Sequence, residues 1–273
     1  MGDLGKTISA VVIAENEAGI IKRCLDALSF CDEIVLVDGG STDGTQDIAK
    51  ACGARVIEHS SSEKGIHFNK NLGAEEAKND WILSIDADEV VSQKLAEEIR
   101  NVAERAAVTG NECFRIPRKT YFLGKWIKHS GWWPGYVIRL WKKGHTEWPL
   151  EVHGVPQANG PMGTIQNPLD HFSYESISDW VRKADHFSGC EAEEAINRGE
   201  AIEGRRLLMG LTIYPAAAFL RKMTVGQAYK DGIHGIVVAG SAAFAAWLRA
   251  AKAWEVNETG RHHNLGGREK LDR

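Results

Sequence analysis

Three short apolar runs, each closed by acidic residues, constrain this chain more than any other feature. Ile8-Ser9-Ala10-Val11-Val12-Ile13-Ala14 leads into Glu15-Asn16-Glu17, Glu33-Ile34-Val35-Leu36-Val37 into Asp38-Gly39-Gly40-Ser41-Thr42-Asp43, and Trp81-Ile82-Leu83-Ser84-Ile85 into Asp86-Ala87-Asp88-Glu89. Runs of this length, bounded by Gly, Ser and Asp, read as buried strands. In an open α/β sheet, ligands bind outside the carboxyl ends of the strands. Three strands that bring carboxylates to that edge need something to neutralise them, and a divalent cation carrying a nucleoside diphosphate would do so.

Helical periodicity fills the gaps between the runs. Glu17 to Leu28 places Ile20, Ile21, Cys24, Leu25 and Leu28 on one face, and Gln93 to Ala107 does the same with Leu95, Ile99, Val102 and Ala106. Shorter helices are expected at Thr45 to Cys52 and Asn69 to Ala77, with a strand at Ala54 to Glu58. Such alternation predicts an α/β fold with a mostly parallel sheet flanked by helices.

Near residue 113 the character changes. Between Cys113 and Thr146 lie eight Lys or Arg residues and no Asp or Glu, interleaved with Tyr121, Phe122, Trp126, Trp132, Trp133, Tyr136 and Trp141. Strands are expected at Cys113 to Pro117 and Tyr136 to Lys142, and a helix at Ser176 to Arg198. Gly204 to Val256 reads as two or more helices broken near Pro215 and Gly226. The chain thus divides into a nucleotide-sugar-binding half (1–112), an acceptor-binding half of the same domain (113–203), C-terminal helices (204–256) and a polar tail (257–273).

The bulk properties exclude several classes. A net charge of −4 gives no global field toward nucleic acid, so no nucleic-acid partner is expected. The five cysteines are odd in number and hold no CxxC pair, which reads as reduced thiols and a cytoplasmic protein. The N-terminal residues leave no room for a secretory signal before the first strand. Two apolar stretches, Leu207 to Leu220 and Gly235 to Leu248, are 14 residues each. A span needs roughly 18, so buried or interfacial helices are the expectation. With Arg221, Lys222 and Arg249 at their ends, these helices offer contact with anionic headgroups at the cytoplasmic face of an inner membrane; packing on the catalytic domain is the plainer reading.

Asp86-Ala87-Asp88 is the central motif. Two carboxylates one residue apart at a strand end can share Mg²⁺ or Mn²⁺, or one can hold metal and the other sugar hydroxyls. A lone D-x-D triplet is weak evidence; its place after an apolar strand, below two other acidic strand ends, makes it stronger. Asp38 suits a base or ribose, whereas Ser41 and Thr42 read as turn and helix cap. The basic aromatic segment, with Trp132, Trp133 and Arg139, suits an anionic sugar acceptor, although several of its tryptophans must be core. Glu147 and Glu151 are candidate general bases, and His153 and His171 follow them.

Together these residues resemble family 2 glycosyltransferases of the GT-A fold. Asn16-Glu17, Val37-Asp38-Gly39-Gly40-Ser41-Thr42-Asp43-Gly44-Thr45 and Asp80-Trp81-Ile82-Leu83-Ser84-Ile85-Asp86-Ala87-Asp88-Glu89 carry the superfamily resemblance. Gly131-Trp132-Trp133-Pro134, Arg139-Leu140-Trp141, Val152-His153, His171-Phe172-Ser173-Tyr174 and Asp231-Gly232-Ile233-His234-Gly235 resemble the bacterial lipopolysaccharide core β-1,4-glucosyltransferase group. The resemblance implies inverting transfer from a nucleotide-activated sugar, usually a UDP-sugar, to a cell-envelope glycan or glycolipid. It places Ala14, Asn16, Glu17, Asp38 and Asp86 at the nucleotide, and Asp88 and His171 at Mg²⁺ or Mn²⁺. Where that group reads Val-His-Glu, this chain has Val152-His153-Gly154, so its base must be another carboxylate, Glu151 or Glu147. The rivals are a nucleotide-sugar-binding module without activity and a nucleotidyltransferase. The second lacks the expected Gly-rich loop with Arg after the first strand, having Ala14-Glu15-Asn16-Glu17 instead.

Overall fold

The computed structural model describes residues 7–61, 65–150, 154–198 and 203–259. The chain forms two compact units, one of Met1–Lys119 and Gly135–His171, the other of Thr120–Pro134 and Phe172–Arg273.

In the first unit, β1 (Ile8–Ala14) lies between β2 (Glu33–Asp38) and β4 (Trp81–Asp86), parallel to both, and β3 (Arg55–Glu58) lies parallel outside β2. Every residue of β1 is buried, as expected of a strand covered on both faces. The register pairs Ala14 with Asp38 and Ile13 with Asp86, so the three acidic strand ends finish at one level. Beyond β4 the pairing turns antiparallel: β8 (Gly135–Lys142) joins β4 to β6 (Cys113–Phe122). The order is β3-β2-β1-β4-β8-β6-β12-β5, where β12 is Leu169–Tyr174 and β5 is Glu89–Val90. β11 (Met162–Thr164) runs parallel beside β6, and β9 (Thr146–Glu147) and β10 (Gln157–Ala158) form a separate pair.

The two-residue period of the strands divides the core between the sheet faces. Val12, Leu36, Leu83 and Ile85 pack on one side with Ile21, Leu25, Leu95 and Ile99. Val11, Ile82, Cys113 and Trp141 pack on the other with Trp148. Helices α1 (Ile21–Asp26), α2 (Thr45–Ala51), α3 (Ile66–Glu76) and α4 (Gln93–Thr109) connect the strands. The helix expected from Glu17 is only six residues long, because the chain first makes a turn in which the Glu17 carbonyl accepts from the N–H groups of Ile20 and Ile21. Its apolar face is nevertheless buried through Ile21, Cys24, Leu25 and Leu28. Helix α4 starts where Ser92 Oγ accepts from Leu95 N–H and stops at Gly110, whose φ of 72° suits glycine. Helix α3 begins three residues before the expected Asn69. A Cβ on its Gly73 would lie 2.4 Å from Val11 Cγ1, so glycine lets this helix close on the sheet.

In the second unit, β7 (Lys125–Trp126) pairs with the end of β6, and Phe122, Ile127 and Val238 form a core with Trp132, Tyr174 and Trp180 around it. Helices α5 (Ile177–Asn197), α6 (Gly204–Leu211), α7 (Ile213–Met223) and α8 (Ile233–Thr259) follow, with a 3-10 turn at Ala228–Asp231. The break expected near Pro215 falls at Thr212 instead. Pro215 sits in the first turn of α7, where its missing N–H is tolerated. The break near Gly226 is present.

The 14-residue apolar stretch from Gly235 is part of one 27-residue helix, long and apolar enough to cross a membrane by length and composition. It runs on through Arg249 and Lys252, good helix formers that lie against α5: Lys252 Nζ is 2.8 Å from Asp185 Oδ1, and Arg249 pairs with Glu191 at 3.4 Å. The polar tail expected from Asn257 remains helical to Thr259; residues 260–273 lie outside the described residues.

Candidate active site

The site grows from the carboxyl ends of β1, β2 and β4. At the end of β1, Asn16 takes a positive φ of 55°, a conformation Asn tolerates better than most residues. Its Oδ1 accepts from Thr42 N–H at 2.8 Å, and its own N–H donates to Ser41 Oγ at 2.8 Å. Glu17 N–H donates to Thr45 Oγ1 at 2.9 Å, and Ala18 N–H to Asp43 Oδ2 at 3.0 Å. Ser41, Thr42, Asp43 and Thr45 thus clasp the β1 and β2 ends together, a structural task. Gly39 permits the close approach: a Cβ there would stand 2.2 Å from Ser61 Oγ. Ala14, the last residue of β1, is buried.

Asp38 is fully buried. Its Oδ2 accepts from Gly40 N–H (3.0 Å), Ser41 N–H (2.8 Å) and Gln46 Nε2 (2.9 Å). Its Oδ1 is buried with no hydrogen-bond partner among the described residues. An unsatisfied buried acceptor is costly, so this oxygen is where a ligand N–H or O–H would be stabilising.

Asp86 and Glu89 form an internally neutralised cluster. Asp86 Oδ1 lies 2.8 Å from Lys70 Nζ, and Asp86 Oδ2 accepts from Arg139. The same guanidinium donates to Glu89 Oε1 at 2.7 Å, while Glu89 Oε2 accepts from Asp86 N–H at 3.0 Å. Arg118 adds a longer contact to Glu89 at 3.9 Å. Trp148 covers the group, its ring centroid 4.1 Å from Lys70 Nζ. Burial opposes ionisation of Asp86, but Arg139 and Lys70 outweigh it and hold the carboxyl well below the usual carboxylate range. Burial lowers Lys70 below an ordinary lysine, against the pull of Asp86. Burial also works against the charge on Arg139, yet Asp86 and Glu89 keep it firmly protonated.

Two expectations are corrected here. The acidic strand ends do not all await an external cation, because Lys70 and Arg139 already balance Asp86 and Glu89. Arg139 is not on an acceptor surface: it is 2% exposed and stands between two carboxylates. The sequence held a signal for this, a single Arg inside the apolar run Val137-Ile138-Arg139-Leu140-Trp141. Lys70 gave none, since its role depends on how closely α3 packs on β1.

Asp88 has different surroundings. The antiparallel register of β5 and β12 pairs Glu89 with His171 and so sets His171 beside the triplet. His171 Nε2 lies 3.4 Å from Asp88 Oδ2. Among the described residues no group of three or more His, Cys, Asp or Glu side chains forms a metal cage. A carboxylate oxygen and an imidazole nitrogen at this separation fit an ion that takes its remaining ligands from phosphate and water, as Mg²⁺ often does. Of the base candidates, Glu147 is exposed on β9, paired with Gln157, and Glu151 lies, with His153, outside the described residues. In the second unit, Trp132 packs on Phe122 (6.2 Å between ring centroids) and Trp133 edge-on to Trp126 (5.3 Å), so both serve partly as core.

A mixed, mostly parallel sheet flanked by helices, with this acidic triplet at the carboxyl end of β4, is of the GT-A kind. Residues 9–155 match the family model for glycosyl transferase family 2, more than half of the chain, and the chain belongs to that family. It is 27% identical over 277 residues to the lipopolysaccharide core biosynthesis glycosyltransferase LpsC of Rhizobium meliloti, covering 97% of this chain and 96% of LpsC. A glycosyltransferase of Rickettsia typhi is 27% identical over 263 residues, covering 92% of this chain and 88% of its own length. Among solved structures, residues 1–349 of S. aureus TarS superpose with a TM-score of 0.46 at 14% identity, covering 93% and 92% of the two chains. Glucosyl-3-phosphoglycerate synthase from Mycobacterium tuberculosis, solved with Mn²⁺, UDP and glucosyl-3-phosphoglycerate, gives a TM-score of 0.34 at 26% identity, covering 43% of this chain and 44% of that one.

Proposed function

We propose that this glycosyltransferase performs a metal-assisted, inverting transfer of a hexose, glucose or a close relative, from a UDP-sugar to an anionic cell-envelope glycan of the lipopolysaccharide-core kind. The observation that carries the reading is the pairing of Asp88 with His171 at 3.4 Å beside an Asp86 that is already neutralised. One carboxylate of the triplet is held as a fixed acceptor, while the other is left with a second metal-ligand type.

Asp38 Oδ1 would accept a base N–H or a ribose hydroxyl, gaining the hydrogen bond it lacks. Ala14, Asn16 and Glu17, at the neighbouring strand end, would border the same nucleotide. Asp86, fixed as a carboxylate by Lys70 and Arg139, would accept from ribose without titrating near neutral pH. Asp88 and His171 would hold Mg²⁺ or Mn²⁺, which when bound supplies Lewis-acid neutralisation of the departing diphosphate. Attack at the anomeric carbon requires a carboxylate to take the acceptor hydroxyl proton, and Glu151 or Glu147 has that role. Trp132 and Trp133 offer aromatic faces to acceptor sugar rings. The acceptor class is supported by the near full-length similarity to LpsC, and it implies work at the cytoplasmic face of the inner membrane.

The test is UDP release from UDP-glucose and other UDP-sugars by the purified chain. The expected result is slow Mn²⁺-dependent release that a lipopolysaccharide-core acceptor accelerates and that either Glu151→Gln or Glu147→Gln abolishes. Binding of every UDP-sugar without any release, acceptors included, would replace the transferase reading with that of a binding module.

A further inference from the structure

The C-terminal helices carry far more exposed apolar surface than a freely dissolved bundle needs. Along α8, Ile233, Ile236, Phe244, Trp247 and Trp254 are all exposed, from 41% to 77%. Their spacing, with Gly240 and Ala251 in the gaps, follows i, i+3/i+4 over the whole helix and makes one continuous stripe. On α7, Ile213, Ala216, Ala217 and Leu220 repeat the pattern on an exposed face. Leu208 on α6 and Val225 after α7 are 63% and 80% exposed. Large contiguous apolar patches on a soluble chain mark an interaction surface.

Charge identifies the occupant. Between Gly204 and Trp254 there are seven Lys or Arg residues and one acidic residue, Asp231. Asp231 is buried, and its carboxylate is engaged by His129 N–H at 2.8 Å and His129 Nδ1 at 3.0 Å. The outer surface of this segment is therefore mainly apolar and cationic, with Arg205, Arg206 and Arg221 exposed, and the exposed acids Glu203, Glu255 and Glu258 lie at its two ends. A protein partner could match the apolar stripe, but a surface whose exposed acids are confined to its two ends is complementary to an extended anionic plane. Spanning is disfavoured despite the length of α8. The helix packs against α5, α6, α7 and the 3-10 turn, and its Lys252 and Arg249 are tied to α5.

We propose that the C-terminal helices dock in the plane of an anionic bilayer, with the α7 and α8 stripes at the acyl boundary and Arg205, Arg206 and Arg221 at lipid phosphates. This does not rest on the proposed glycosyl transfer, because it uses none of the residues of the carboxylate site.

The experiment is sedimentation of the full chain with vesicles of phosphatidylethanolamine alone or mixed with phosphatidylglycerol, with no nucleotide present. Binding should require phosphatidylglycerol. Arg205→Gln, Arg206→Gln and Arg221→Gln together should weaken it about a hundred-fold, from roughly one lipid-facing charge's contribution each. Ile213→Glu with Leu220→Glu should abolish it, while circular dichroism and the melting temperature stay at wild-type values, since both positions are exposed. Equal binding to both vesicle types, retention of binding by both variants, or resistance of the bound protein to alkaline carbonate extraction (the mark of a spanning helix) would overturn the proposal. So would a wild-type chain that ignores vesicles and self-associates through the same stripe in sedimentation velocity.

Discussion

Asp86 and Asp88 stand one residue apart at the end of the same strand, yet their surroundings differ. Asp86 lies in a cluster where two carboxylates meet the cations of Lys70 and Arg139, closed over by Trp148. Asp88 faces a histidine brought in by strand register. The first arrangement fixes geometry and is bound to the stability of the fold. The second is suited to exchange ligands. On the proposed reading, such a strand end offers a rigid acceptor to the ribose and a metal ligand beside the diphosphate.

The sharpest way to break this comparison is to remove Arg139. Arg139→Leu leaves Asp86 and Glu89 facing each other in a buried site, and loss of one partner from such a cluster costs about 3–5 kcal/mol. Urea unfolding should show it, and Arg139→Lys should recover only part, because an ammonium cannot fork between two carboxylates. Lys70→Met should cost less, about 1–3 kcal/mol, since Arg139 still compensates Asp86.

Acid should then report on Asp86. The folded Asp86 carboxyl lies below its unfolded value of about 3.9, so its contribution to stability is complete above roughly pH 4 and is lost as pH falls through the folded value. Between about pH 5 and about pH 3 the urea midpoint of the wild type should therefore fall more steeply than that of Asp86→Asn. A smaller effect on folding is expected at Asp88: Asp88→Ala, which removes the contact with His171, should cost about 1 kcal/mol of unfolding free energy.

How much of this was legible beforehand depended on whether the cause was local. Strands β1, β2 and β4 announce themselves as apolar runs with acidic ends, and α4 as a periodic face, because both patterns reflect burial along one segment. The triplet and Asp38 could be singled out for the same reason. Lys70 could not, because its position depends on Gly73 admitting α3 against Val11. Arg139 was misjudged as an acceptor contact because its neighbours are basic and aromatic; the partners that define it lie on β4 and β5. The apolar run of α8 stops at Leu248, so the sequence shows 14 apolar residues where the helix itself goes on to Thr259, with Lys252 and Arg249 set against Asp185 and Glu191 of α5.

The central proposal is that Asp88, with His171, is the part of the triplet that takes a metal ion, while Asp86 is already neutralised by Lys70 and Arg139. Thermal unfolding with UDP, with and without Mn²⁺, in the wild type and in Asp88→Ala tests it most directly, because a ligand bound only by the folded state raises the melting temperature. The account predicts a wild-type shift with UDP that grows when Mn²⁺ is added, and a variant that keeps the UDP shift but loses the Mn²⁺ increment. A full Mn²⁺ increment in Asp88→Ala, or none in the wild type, would contradict it.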